Sequence, residues 1–151
     1  MLNRFFRLIA IAAVSLMSTA ALAGDFFETD GVALHGYDPV AYFVAAEPQK
    51  GQAQYSYEYK GSTFYFASEA NRRSFMEAPE KYAPQFGGYC AYGTSQGYKV
   101  STQPDAFAIV KDKLYLNYNK KVQEIWRQDV PGNIERAEKN WPEVQKAPQK
   151  D

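Results

Sequence analysis

Tyr55, Tyr57 and Tyr59 recur at every second position between Ala53 and Lys60. That period puts them on one face of an extended strand. Gly61-Ser62 supplies turn residues, and Thr63 to Phe66 returns as a second strand, so the segment reads as a β-hairpin. The flanking signals are helical. Asp38-Pro39 provides an N-cap and a first-position proline for Val40 to Val44. Ser68 caps a helix from Glu69 to about Glu77 that buries Phe75 and Met76, and Pro79-Glu80-Lys81-Tyr82 starts a further helical turn. Beyond these, Tyr98 to Ser101 reads as a strand. Ala106 to Val110 and Leu114 to Tyr118 form a second hairpin around Lys111-Asp112-Lys113. Lys120 to Gln128 is a helix with Val122, Ile125 and Trp126 on one side, and Ile134 to Trp141 is helical. Strands paired in hairpins, with no strand-helix-strand repeat, predict an α+β fold. A small antiparallel sheet of hairpins packs against several short helices in a single domain.

The chain opens with a basic start carrying Arg4 and Arg7, then runs apolar from Leu8 to Leu22 and reaches the small-residue triplet Ala21-Leu22-Ala23. This layout predicts a signal peptide over residues 1–23, cleaved before Gly24, and a soluble product released to the periplasm or secreted, with no membrane attachment. Cleavage takes two arginines and no acid, so 17 basic residues become 15 against 17 acidic, a net charge near −2. Basic and acidic residues are interleaved, as in Lys111-Asp112-Lys113, which argues against nucleic acid as a partner. Residues 24–145 then form the domain, and the polar stretch 146–151 reads as a disordered tail.

His35 and Cys90 are the only histidine and the only cysteine. One cysteine permits no internal disulfide, and a free thiol in an oxidising compartment is expected to be buried, metal-bound or reactive. Both residues sit in glycine-flanked loops, His35 before Gly36 and Cys90 after Gly87-Gly88. A thiolate and an imidazole together are donors for Cu(I), which accepts low coordination numbers. Zn(II) would need two further ligands from oxygen donors, water or a second subunit. The nearest oxygen donors in sequence are Tyr37, Asp38 and Tyr89. Three other readings stand beside this one. Cys90 is a small buried apolar residue in a small-molecule-binding module. Alternatively it is a nucleophile activated by His35, with Asp38 orienting the ring and amides near Gly88 stabilising an oxyanion. The tyrosine face is a packed sheet surface, with a carbohydrate platform as the lesser option. No Cys-x-x-Cys-His motif supports haem attachment.

Asp38-Pro39-Val40, the run Tyr59-Lys60-Gly61-Ser62-Thr63-Phe64-Tyr65-Phe66, then Ser68, Phe75 and Pro79-Glu80-Lys81-Tyr82 resemble the YHS-domain family in order and spacing. Lys113 to Asn119, Trp126 and Asn140-Trp141-Pro142 resemble its exported members. The resemblance implies a hairpin packed on helices and binding of heavy-metal ions, copper above all. Related metal-binding domains place cysteines after Asp-Pro-Val and at the hairpin-to-helix junction, where this chain has Ala41, Ala67 and Asn71. His35 and Cys90 are then the remaining soft ligands. The expected function is Cu(I) sequestration, delivery or sensing, with a metal-donor or acceptor protein, or a second copy of the chain, as partner.

Overall fold

Three two-residue turns fix the strand pairing, and each uses backbone of positive φ. The structure, a computed structural model, describes residues 25–151, so the expected signal peptide and its cleavage point lie outside the described residues. Asp30-Gly31 joins β1 (Glu28–Thr29) to β2 (Val32–Ala33), and Lys60-Gly61 joins β3 (Gln52–Tyr59) to β4 (Ser62–Phe66). Lys111-Asp112 joins β6 (Phe107–Val110) to β7 (Lys113–Leu116). All six turn residues have φ between 48° and 80°, the geometry that matches the right-handed twist of the strands each turn connects. The first tyrosine hairpin therefore turns at Lys60-Gly61, one residue earlier than expected, and Ser62 pairs with Tyr59 as the first residue of the returning strand.

The main sheet runs β1-β2-β4-β3, antiparallel except where β2 lies parallel to β4 through Val32 and Thr63. The second hairpin forms its own antiparallel pair, β6 with β7. With helices α1 (Ala41–Val44), α2 (Glu69–Glu77), α3 (Pro79–Tyr82), α4 (Ala91–Ser95), α5 (Lys120–Arg127) and α6 (Val130–Val144), the class is α+β as expected. No helix among the described residues is long and apolar enough to cross a membrane.

Aromatic side chains fill the core. Phe64, Phe66 and Phe75 are fully buried, with Phe75 projecting from α2 onto the sheet, 4.9 Å from the Phe64 ring and 5.2 Å from that of Phe66. Tyr55, Tyr57 and Tyr59 pack on this cluster and are half-buried, so the tyrosine face is a packed sheet surface. Met76, expected inside, is exposed. In α2 it falls one position, about 100°, round from Phe75, and only the Phe75 stripe meets the sheet. Ile125 is likewise exposed while its neighbour Trp126 is buried.

β7 joins two clusters. Its side chains alternate, so Leu114 and Leu116 enter the cluster of Phe64, Phe66 and Phe75, whereas Tyr115 enters a second one with Phe86, Trp126 and Ala137. Part of the polar stretch 146–151 carries regular backbone pairing. The short strand β8 (Gln149–Lys150) pairs in parallel with β5 (Lys99–Val100), and the Lys150 ammonium lies 5.0 Å from the Tyr98 ring. Backbone pairing is blind to side-chain polarity, so a polar sequence did not forecast it.

Gly61→Ala tests the turn geometry. With φ near 80° at this position, a side chain is expected to cost about 1 kcal/mol of stability, read from the urea midpoint.

Candidate functional site

Asp38 is fully buried, and its carboxylate is saturated. Oδ1 accepts from the backbone N–H of Val40 (2.8 Å) and Ala41 (3.2 Å), capping the turn that leads into α1. Oδ2 accepts from the N–H of Ala67 (2.8 Å) and from the side-chain amide of Asn71 (2.7 Å). Ala41, Ala67 and Asn71 are the positions at which metal-binding relatives were expected to carry cysteines. The fold does bring all three to one point, but they close on a carboxylate that four N–H groups already satisfy. Asp38 is therefore a structural knot and not a spare metal ligand.

His35 lies in a strained turn. Leu34, His35 and Gly36 are consecutive left-handed residues, with φ of 55°, 55° and 78°. For non-glycine residues this conformation costs about 1–2 kcal/mol each, so surrounding contacts must hold it. They are present. The ring stands edge-on to Phe27, with centroids 4.9 Å apart, and Nε2 donates to the carbonyl of Thr102 at 3.0 Å. A carbonyl can only accept, so Nε2 carries the proton and the lone pair of the neutral ring is on Nδ1, 3.5 Å from Thr29 Oγ1.

A second left-handed triplet leads to the cysteine. Phe86, Gly87 and Gly88 have φ of 53°, 61° and 79°, and a Cβ on Gly88 would collide with the Leu34 side chain. Thr102 ties the two turns together: its hydroxyl donates to the Gly88 carbonyl at 2.7 Å while its own carbonyl accepts from His35. Cys90 follows as the N-cap of α4, a helix in a stretch that reads as irregular in sequence. Sγ accepts from the N–H groups of Gly93 (3.3 Å) and Tyr118 (3.2 Å) and lies 3.6 Å from Asn117 Oδ1, to which the thiol donates. The residue is 1 % exposed. Burial pushes the thiol up from its ordinary value, and the amides of Gly93, Tyr118 and Tyr92 pull only partly the other way. Asn117 was not foreseen. It is fully buried, its Oδ1 also accepts from Tyr92 N–H at 3.1 Å, and its Nδ2 has no hydrogen-bond partner among the described residues.

The loops of His35 and Cys90 thus adjoin, but their side chains do not meet. The imidazole touches Phe27, Thr29 and Thr102, whereas Sγ faces Gly93, Asn117 and Tyr118. Nor do the oxygen donors complete a sphere. Tyr37 carries the Lys50 ammonium over its ring at 5.1 Å. Tyr89 packs between Phe27 and Trp141 under Lys99, 4.6 Å from its Nζ, and burial together with Glu28 holds its phenol protonated. Among the described residues, no three side chains of His, Cys, Asp or Glu gather into a metal-binding group. The four donors that zinc would need are not assembled.

Residues 40–86 match the YHS domain, a domain associated with copper- and heavy-metal-related proteins. No curated protein and no solved structure matches the chain. His35 and Cys90 stand just outside the matched segment, one at each end.

Two outcomes test this description. Asp38→Ala leaves four donors without their acceptor and is expected to cost about 3 kcal/mol or more, measured by urea unfolding. Cys90 is expected to resist iodoacetamide at neutral pH in folded protein and to react on unfolding. Its raised value favours the protonated fold, so this part of the stability is complete below the ordinary thiol value of 9.0 and is lost as pH rises through the folded value.

Proposed function

We propose that the chain is an exported heavy-metal-associated protein that takes Cu(I) as cargo through the thiolate of Cys90, with the imidazole of His35 as second donor. The supporting observation is the Thr102 bridge, which ties the histidine turn to the turn preceding the cysteine. It brings the two loops side by side, and because their side chains face apart, an ion shared by both requires the cysteine loop to turn its thiol toward the ring. A ring whose N–H is held by a backbone carbonyl presents its other nitrogen as a ligand, the usual outer-shell arrangement around metal-binding histidines. The two backbone N–H groups on the sulfur partly offset the burial that disfavours its thiolate, and a bound cation would supply the rest. Two soft donors suffice for Cu(I). The YHS segment supports association with heavy metals in general; the ion and the ligands belong to this proposal.

The enclosed thiol sets a condition. Cu(I) reaches Sγ only when the segments that enclose it, Tyr89–Ala91 or Asn117–Tyr118, open and the proton leaves, so binding is coupled to local opening and releases one proton. Sequestration, delivery and sensing all use such a site.

The test is titration of the reduced protein with Cu(I), and separately with Zn(II), against a competing chelator. The expected result is one Cu(I) per chain, loss of binding in Cys90→Ser, affinity at least about tenfold weaker in His35→Ala, and weaker binding of Zn(II). Equal Cu(I) affinity in both variants and the parent would overturn the assignment.

A further inference from the structure

We propose that the cleft between the β6–β7 hairpin and helix α6 binds a small zwitterion with an apolar body, such as a free hydrophobic amino acid or a short apolar peptide. The cleft holds about 350 Å³, within the size range of small-molecule sites. Val110, Tyr115, Val130 and Ile134 give it an apolar floor, which is the outer surface of the second core cluster. Its rim is charged and divided by sign. Lys111 and Lys113 stand on the hairpin side, Glu135 and Glu138 on the helix side. All four are exposed, and none is ion-paired among the described residues. Opposite charges that line one cleft without neutralising each other leave room for a ligand that carries both signs.

Tyr115 adds an independent feature. The residue is only 3 % exposed, yet its hydroxyl has no hydrogen-bond partner among the described residues and is not sealed from solvent. Its ring is wedged against Phe86 and Trp126, with centroids 6.0 and 5.6 Å away, so the hydroxyl is held in place at the cleft. Burial and the nearby Glu138 carboxylate keep the phenol protonated. It is a fixed donor without an internal acceptor, held where water or a ligand can complete it. A ligand carboxylate accepts from Tyr115 and faces the lysines, its ammonium faces Glu138 and Glu135, and its side chain covers Val110, Val130 and Ile134. The site uses neither Cys90 nor His35, so it stands or falls apart from the metal reading.

Calorimetric titration of the full chain with L-phenylalanine and with leucyl-leucine decides the matter. At least one is expected to bind at one per chain. Phenethylamine and 3-phenylpropanoate, which keep one charge each, are expected to bind at least about tenfold more weakly than L-phenylalanine. Glu138→Gln and Tyr115→Phe, each checked for an unchanged melting temperature, are expected to weaken the zwitterion by about fivefold or more. Binding of neither zwitterion, equal binding of the single-charge analogues, or unchanged affinity in both variants would overturn the proposal.

Discussion

The carboxylate of Asp38 is where the fold is tied. One oxygen holds the start of α1, and the other holds both the exit of β4 at Ala67 and the side of α2 at Asn71. A carboxylate buried away from solvent is tolerated only where donors surround it, and here two backbone segments and one side chain supply them. The one side chain thus fixes α1, β4 and α2 relative to one another. Around it the aromatic cluster of Phe64, Phe66 and Phe75 closes, because Phe66 precedes Ala67 by one residue and Phe75 lies one helical turn beyond Asn71.

The segment that matches the YHS domain, residues 40–86, carries no thiol or imidazole around this knot. Thiolates at positions 41, 67 and 71 would crowd further negative charge around a buried carboxylate unless a cation joined them. With Ala41, Ala67 and Asn71 the charge is answered by N–H groups alone, and no cation is needed for the fold to close. The soft donors lie instead at the two edges of the segment, on left-handed turns that pack against each other. Strained backbone at both edges is maintained by Thr102 and Phe27, residues distant in sequence from at least one of the turns they hold.

Legibility in the sequence follows the range of the interactions. Asp38-Pro39, Ser68 and the alternating tyrosines act within a few residues, and the elements they forecast are present: Ser68 caps α2 through Asn71 N–H at 3.1 Å, and the hairpin forms. What depends on distant partners was not readable. The stretch from Gln85 to Gly93 looks irregular because its two glycines and its aromatics give no period, yet it contains a left-handed turn and helix α4. Asn117 carried no signal either. Its role depends on β7 ending beside Cys90, a contact across 27 positions. For the candidate ligands, the sequence could nominate His35 and Cys90 by chemical type and loop context. It could not show that the thiol faces inward or that Asp38, Tyr37 and Tyr89 are engaged elsewhere, since side-chain direction is decided by packing.

β7 links the two core clusters to the cysteine pocket. Because its side chains alternate, Leu114 and Leu116 belong to the core of the YHS segment while Tyr115 belongs to the cluster beneath α6, and the strand's continuation through Asn117 and Tyr118 closes over the thiol of Cys90. A single strand therefore touches the aromatic core, the cysteine pocket and the charged cleft. Opening the cysteine pocket means moving Tyr118 or the Tyr89–Ala91 stretch, whereas Tyr115 is clamped between Phe86 and Trp126. The hydrogen bond from Tyr118 to Cys90 and the aromatic contacts of Tyr115 thus belong to one continuous stretch of backbone, three residues apart.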